Sequence, residues 1–234
     1  MSEQDRYIPG VPCWVDTTHP DPEAAADFYA GLFGWKLEDS MPADQEGNYF
    51  TATLGGKDVA AIGSVPEGVP EMAAWNTYIW VESADDSAAK AQSAGGRIVH
   101  EPFDIYDAGR MAVIADPEGA ILMLWEPKGH RGAQLVNEAG TLNFNGLNTR
   151  DPARAADFYG ELFGWVPTGE GEGGMWRLPG YGDFLESRNP GTREHQEQAG
   201  APEGFLDVVA ALTPIPDDQP DTPAHWNVTF AVDD

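Results

Sequence analysis

Asp16 is the acid with the most chemistry open to it. Strand alternation through the segment Val11 to Thr17 puts Trp14, Asp16 and Thr18 on one face, so a carboxyl group sits two residues from an indole. Desolvation beside such a ring raises a carboxyl pKa and fits the group for general acid–base work. The same charge could instead hold a cationic ligand or pair with Arg110. The residues leave all three roles open.

Metal and nucleophile chemistry find less support. Of the five histidines, His225 shares a strand face with Asn227, but no partner ligand is identifiable. His19 falls in a capping loop, His100 at a strand end before Glu101-Pro102, His130 in a linker and His195 in an insertion. The one cysteine, Cys13, excludes an internal disulfide and a cysteine zinc cage, and reads as a small core residue in a strand. There is no HExxH, no Ser-His-Asp order and no phosphate-cradling glycine loop.

The net charge of −26, from 13 basic and 39 acidic residues, repels nucleic acid and anionic lipid. Those partners are set aside; the acidity serves solubility or favours cationic ligands. No apolar run approaches the roughly 18 residues of a membrane span, and the start Met1 to Arg6 is too polar for a secretory signal, so the expected location is the cytoplasm.

These residues are carried by a duplication. Asp21 to Trp35 recurs as Asp151 to Trp165, displaced by 151 − 21 = 130 residues, and Trp75 to Val81 answers to Trp226 to Val232 at 226 − 75 = 151. The difference is an insertion near Asp183 to Phe205. Within the repeat Asp21 is a good N-cap, Pro22 fits the first turn, and Ala25, Phe28, Tyr29, Leu32 and Phe33 form one apolar face expected to be buried. Gly34 supplies the left-handed stop. Asp151 to Gly164 repeats the pattern.

Strands Val11 to Thr17, Trp35 to Glu38, Tyr49 to Leu54 and Lys57 to Val65 complete a βαβββ unit around the first helix. A second unit follows, with strand Trp75 to Val81, a helix from about Ala84 to Ala94, and strands Arg97 to His100, Met111 to Ala115 and Ile121 to Glu126. The expected domains are 1–126 and 141–234, joined by a linker at 127–140. The second half reaches Asp234 one strand into its second unit, so the fourth module is expected to be truncated relative to a longer native chain.

Paired βαβββ modules, the helix signature A-x-x-F-Y-x-x-L-F-G-W and the D-P-x-G-A turn at Asp116 resemble the vicinal oxygen chelate superfamily of glyoxalases, bleomycin-resistance proteins and extradiol dioxygenases. The two-domain actinobacterial glyoxalase-like "hydroxylase" proteins look most similar. The resemblance implies an α+β fold of tandem modules forming glyoxalase-like half-barrels. It also implies a divalent metal on three positions, which fall here on Trp14, Asn76 and Met123, with Phe144 and Asn227 as counterparts in the second half. None of the three suits a hard divalent ion. The expectation is therefore no metal and no cofactor.

On the face carrying those positions, alternation gathers Trp14, Asp16 and Thr18 with Asn76, Tyr78 and Trp80 and with Ile121, Met123 and Trp125, while Val15, Ile79, Val81, Leu122 and Leu124 point toward helices. The ligand-binding set is Trp14, Asn76, Tyr78, Trp80, Met123 and Trp125, with Asp16 as the catalytic candidate. The expected function is to bind or convert a small aromatic, carbonyl or cationic molecule in an aromatic-lined pocket. Any activity would be metal-independent, of lyase, isomerase or hydroxylase-like type. A metal-dependent lyase or dioxygenase, and a non-catalytic structural subunit, are the alternatives. A homodimer is open, as is the insertion's role as a lid or a polar surface helix.

Overall fold

A computed structural model describes residues 7–68, 71–168 and 173–233. The first module runs β1 (Pro12–His19), α1 (Pro22–Phe33), β2 (Lys36–Asp39), β3 (Tyr49–Leu54) and β4 (Lys57–Ser64). The second runs β5 (Ala74–Trp80), α2 (Ala84–Ser93), β6 (Arg97–Ile105), β7 (Gly109–Ala115) and β8 (Ile121–Pro127). β6 passes beyond the expected end at His100, through Pro102 to Ile105, because register shifts at His100 and Phe103 accommodate the proline.

Both modules share one eight-stranded sheet of order β2-β3-β4-β1-β5-β8-β7-β6. Its centre is the antiparallel pair β1–β5, which sets Asp16 opposite Asn76 and Trp14 opposite Tyr78. β8 then lies parallel to β5, with Tyr78 opposite Met123 and Trp80 opposite Trp125.

The second half repeats the plan with β9 (Leu142–Thr149), α3 (Pro152–Phe163), β10 (Val166–Pro167), β11 (Gly174–Arg177), β12 (Val208–Pro214) and β13 (His225–Phe230). These strands form a second sheet of order β10-β11-β12-β9-β13. Between β11 and β12 the chain forms two helices, α4 (Tyr181–Arg188) and α5 (Thr192–Gln198), and a 3-10 turn at Phe205–Asp207.

The repeated helices are capped alike. Asp21 and Asp151 each accept from a backbone N–H three residues on, and Gly34 and Gly164 close the helices in the left-handed region at φ 70° and 75°. The duplication also fastens the halves to one another. Trp165 donates its indole N–H to the carbonyl of Gly10 at 2.8 Å, and Trp35 donates to Gly140 at 2.7 Å.

The expectation of a buried apolar face holds for α3 and only in part for α1, where Ala25 is buried and Tyr29 and Phe33 are half-buried against the core, but Phe28 and Leu32 face outward. Phe158 and Leu162 are 2% and 5% exposed, whereas their counterparts Phe28 and Leu32 are 61% and 56% exposed. The reason is the neighbour. α3 packs against α2 and the back of β5 and β8, in a core with Ile79, Val81, Ala88, Leu122 and Leu124. Among the described residues no helix stands beside α1 in that way; its Ala25, Ala26, Tyr29 and Phe33 pack in a core with Val15, Trp35, Ala60 and Ile62.

Candidate functional site

The front of the eight-stranded sheet holds a polar centre inside an aromatic cluster. Asp16, 3% exposed, accepts on Oδ1 from Asn76 Nδ2 at 2.8 Å. Its Oδ2 accepts from the hydroxyls of Tyr78 at 2.6 Å and Tyr49 at 3.1 Å. Trp14 Nε1 in turn donates to the Tyr49 hydroxyl at 3.2 Å. Three donors therefore converge on one carboxyl group.

Each partner arrives by strand register. Asn76 lies directly across the β1–β5 ladder from Asp16, and Tyr78 follows two residues on along the same face. Tyr49 comes from β3, two strands away, and passes over Gly63 of β4. A Cβ at Gly63 would stand 3.1 Å from the Tyr49 ring, so the missing side chain is what lets the ring lie there. Strand alternation alone does not bring Tyr49 to Asp16; the small residue opposite it in β4, Gly63, is the signal in the sequence that points to it.

Burial pushes the Asp16 pKa up, while the bonds from Tyr78, Asn76 and Tyr49 oppose that rise by favouring the ionised form. Both tyrosines are held well above the ordinary phenol range, first by burial and then by the adjacent carboxylate. They are O–H donors throughout the working pH range. Arg110 does not join this group: its guanidinium pairs with Asp85 at 2.6 Å and with Asp104 at 3.5 Å, because β7 carries it to the sheet's far side strands.

The remaining members of the face surround the polar centre. Trp14, Tyr78, Trp80, Met111, Met123 and Trp125 pack together with Cys13, whose thiol is buried and pushed far above its ordinary pKa. Thr18 continues β1 at the rim, and Ile121 is 37% exposed at the start of β8, outside the cluster.

Residues 128–133 cross this face as a strap. His130 accepts on its backbone carbonyl from Trp125 Nε1 at 3.0 Å, and its ring meets the Trp14 ring edge-on at 4.4 Å. Ala133 N–H donates to Cys13 O at 2.7 Å, and the Tyr7 hydroxyl donates to Ala133 O at 2.8 Å. The Arg131 guanidinium lies 5.2 Å over the Trp80 ring. Desolvation lowers the His130 pKa to about 4, and its Nε2 has no hydrogen-bond partner among the described residues.

Two of the clefts among the described residues lie elsewhere. One of about 440 Å³ opens between α2 and α3 beside Pro9 and Gly10. The other, about 470 Å³, lies under α4 and α5 at the start of β9.

A sequence model of the Glyoxalase/Bleomycin resistance protein/Dioxygenase superfamily matches residues 14–124. The chain is 38% identical over 236 residues to "Putative glyoxylase CFP32" of Mycobacterium bovis, an alignment covering 100% of this chain and 82% of that protein. The chain belongs to this superfamily. It is also 32% identical over 249 residues to "Anthracycline biosynthesis protein DnrV" of Streptomyces peucetius, covering 98% of this chain and 79% of that one.

Solved structures share the fold at low identity. The Mn(II)-bound glyoxalase from Novosphingobium aromaticivorans aligns with TM-score 0.53 and 14% identity, over 72% of this chain and 58% of that one. A mutant 4-hydroxymandelate synthase from Streptomyces coelicolor aligns with TM-score 0.54 and 14% identity, over 91% of this chain and 64% of that one.

The donor set does not fit the divalent metal of the superfamily's metalloenzymes. Trp14 Nε1 carries a proton and donates it to Tyr49; the Asn76 amide is committed to Asp16 through its nitrogen; Met123 is a thioether in an apolar cluster. In the second half Asn227 Oδ1 accepts from Asn148 at 3.0 Å, and His225 Nδ1 lies 2.8 Å from Pro223 O. Among the described residues no three His, Cys, Asp or Glu side chains gather as a metal site.

Proposed function

We propose that the protein binds a small organic molecule without a metal, and that Asp16, with Asn76, Tyr49 and Tyr78, reads the ligand's polar group. The observation that carries this reading is the convergence of three donors on one carboxyl group inside an aromatic cluster, on the sheet face where this superfamily places its chemistry. Trp14, Trp80 and Trp125 supply flat apolar surface around it. The strap is the movable wall: a ligand entering the cluster replaces His130 and Ala133 and exchanges their hydrogen bonds for its own. Asp16 then meets the ligand as counter-charge or as acid–base group, with a proton affinity raised by burial. The name of the Streptomyces peucetius relative, an anthracycline biosynthesis protein, supports a small organic ligand.

The three hydrogen bonds and 3% exposure of Asp16 favour a second reading, in which the centre is structural and the pairing of β1 with β5 is its purpose. A panel of small aromatic, carbonyl and cationic compounds, followed by tryptophan fluorescence, separates the two. The proposal expects at least one compound to change the emission of the wild type and of Glu38→Gln, and to bind Asp16→Asn at least tenfold more weakly. A compound that binds all three chains equally, or a panel with no binder, assigns the centre to structure.

A further inference from the structure

The cleft under α4 and α5 is a separate feature, and its chemistry differs from that of the Asp16 centre. Phe144 stands where the first half has Trp14, and Gly146 where it has Asp16, so this half offers no carboxyl group at that position. Phe144, Tyr181 and Phe205 give the cleft flat aromatic surface. Its polar members are Asn143, Asn145, Asn189, Thr192 and Gln196 together with Asn137. Among the described residues no Asp, Glu, Lys, Arg or His lines it, although such charged side chains are common elsewhere in this chain, which has 39 acidic and 13 basic residues.

The insertion builds that neutrality deliberately into one face. Thr192 and Gln196, four apart on α5, form a stripe toward the cleft, and Asn189, the residue that ends α4, lines it beside them, while Arg193, Glu194 and Glu197 on the outer side are exposed. The two helices are braced rather than loose. Gly182 N–H donates to Asp207 Oδ1 at 2.7 Å, and a Cβ on Gly182 would meet Leu206 at 2.8 Å, so α4 sits directly on the 3-10 turn. Glu186 accepts from the backbone N–H groups of Gly191 and Arg193, both at 2.8 Å, which fixes α5 against α4. On the opposite wall, Asn145 Oδ1 is fixed by the Thr77 hydroxyl at 2.9 Å, leaving its amide orientation set.

We infer that this cleft is a binding site for an uncharged, planar ring compound bearing carbonyl and hydroxyl groups. A volume of about 470 Å³ is that of a small-molecule site. Aromatic side chains take the ring faces, and carboxamides, which donate and accept from one group, match a rim that carries both carbonyl and hydroxyl oxygens. A charged ligand would find no opposite charge to offset its desolvation. The inference rests on this lining alone and is independent of the Asp16 centre.

The test uses the full chain and three uncharged compounds, 5,7-dihydroxyflavone, 1-hydroxyxanthone and 7-hydroxycoumarin below its phenol pKa, with 2-naphthalenesulfonate as the charged control. Calorimetric titration is expected to show binding of at least one uncharged compound and none of the sulfonate. Gln196→Glu, which puts a charge into the stripe with little change of shape, is expected to weaken that binding at least tenfold, and Phe144→Ala likewise. Gln198→Glu, the same change on an exposed residue outside the lining, is expected to leave it within twofold. Thermal melts of all three variants establish that they are folded. The inference is overturned if none of the three compounds binds the wild type, if the sulfonate binds as well as they do, or if Gln196→Glu and Gln198→Glu bind alike.

Discussion

Phe28 and Phe158 occupy the same place in the same helix motif, 158 − 28 = 130 residues apart, yet the first is 61% exposed and the second 2%. Their surroundings differ because α3 has α2 beside it and α1 has no such helix among the described residues. Closely similar local sequence is thus given opposite energetic weight by what packs on it.

Phe158→Ala and Leu162→Ala should each lower unfolding stability by about 2–5 kcal/mol, as removal of large buried side chains does. Phe28→Ala and Leu32→Ala should each cost less than about 1 kcal/mol, since exposed surface positions contribute little. Urea denaturation midpoints of the four variants check this, and equal losses at 28 and 158 would show that α1 is covered in solution.

A methyl group at Gly96 has no room. Its Cβ would stand 2.7 Å from Ala115 O and 2.8 Å from the Phe158 ring, so Gly96→Ala should destabilise the junction of the halves by about 1–3 kcal/mol through overpacking. Gly31→Ala, where nothing lies within 4 Å, should be neutral or stabilising by up to about 1 kcal/mol within its helix. Thermal unfolding of the two variants side by side is the measurement.

How far the sequence revealed this arrangement follows from the kind of signal each residue gives. Caps, helix faces and strand alternation are local, so the helices at Pro22 and Pro152 and the shared face of Trp14, Asp16, Asn76 and Tyr78 were legible. Exposure of Phe28 was not, because periodicity shows that a face is apolar and not what covers it. Tyr49 reaches Asp16 only through the order of β3, β4 and β1 and the bare Gly63, a relation of three strands that no single segment displays. The strap across Trp14 and Trp125 has no period at all, and its hydrogen bonds to Cys13 and Trp125 are visible only in the fold.

Acid should loosen the strap. His130 titrates at about 4 in the folded chain against an ordinary 6.5, so between those values the unfolded chain binds the extra proton and stability falls as pH decreases. Asp16 acts in the opposite sense: its raised folded pKa means that stability is lost as pH rises from its ordinary value of 3.8 toward the folded one. His130→Phe removes only the first effect. The variant should therefore lose less stability than the wild type between pH 6.5 and pH 4.5, by about 1–2 kcal/mol, as read from urea midpoints at both values.

Asp16→Ala leaves the Asn76, Tyr78 and Tyr49 donors without their acceptor in a buried cluster, and unfolding stability should drop by about 3 kcal/mol or more. Asp104→Ala, whose carboxylate pairs at the exposed surface with Lys128 at 2.7 Å, should leave stability close to that of the wild type. Denaturant titration at pH 7 compares them, and similar losses would show that the three donors find water or new partners.

The account's central claim is metal-independent recognition of a small molecule through Asp16. Its most direct test is the affinity of a compound selected by tryptophan fluorescence, titrated into wild type and Asp16→Asn, each with and without excess chelator. The account predicts that chelator changes nothing and that Asp16→Asn weakens binding at least tenfold. Loss of binding on chelation, or equal affinity in the two chains, would contradict it.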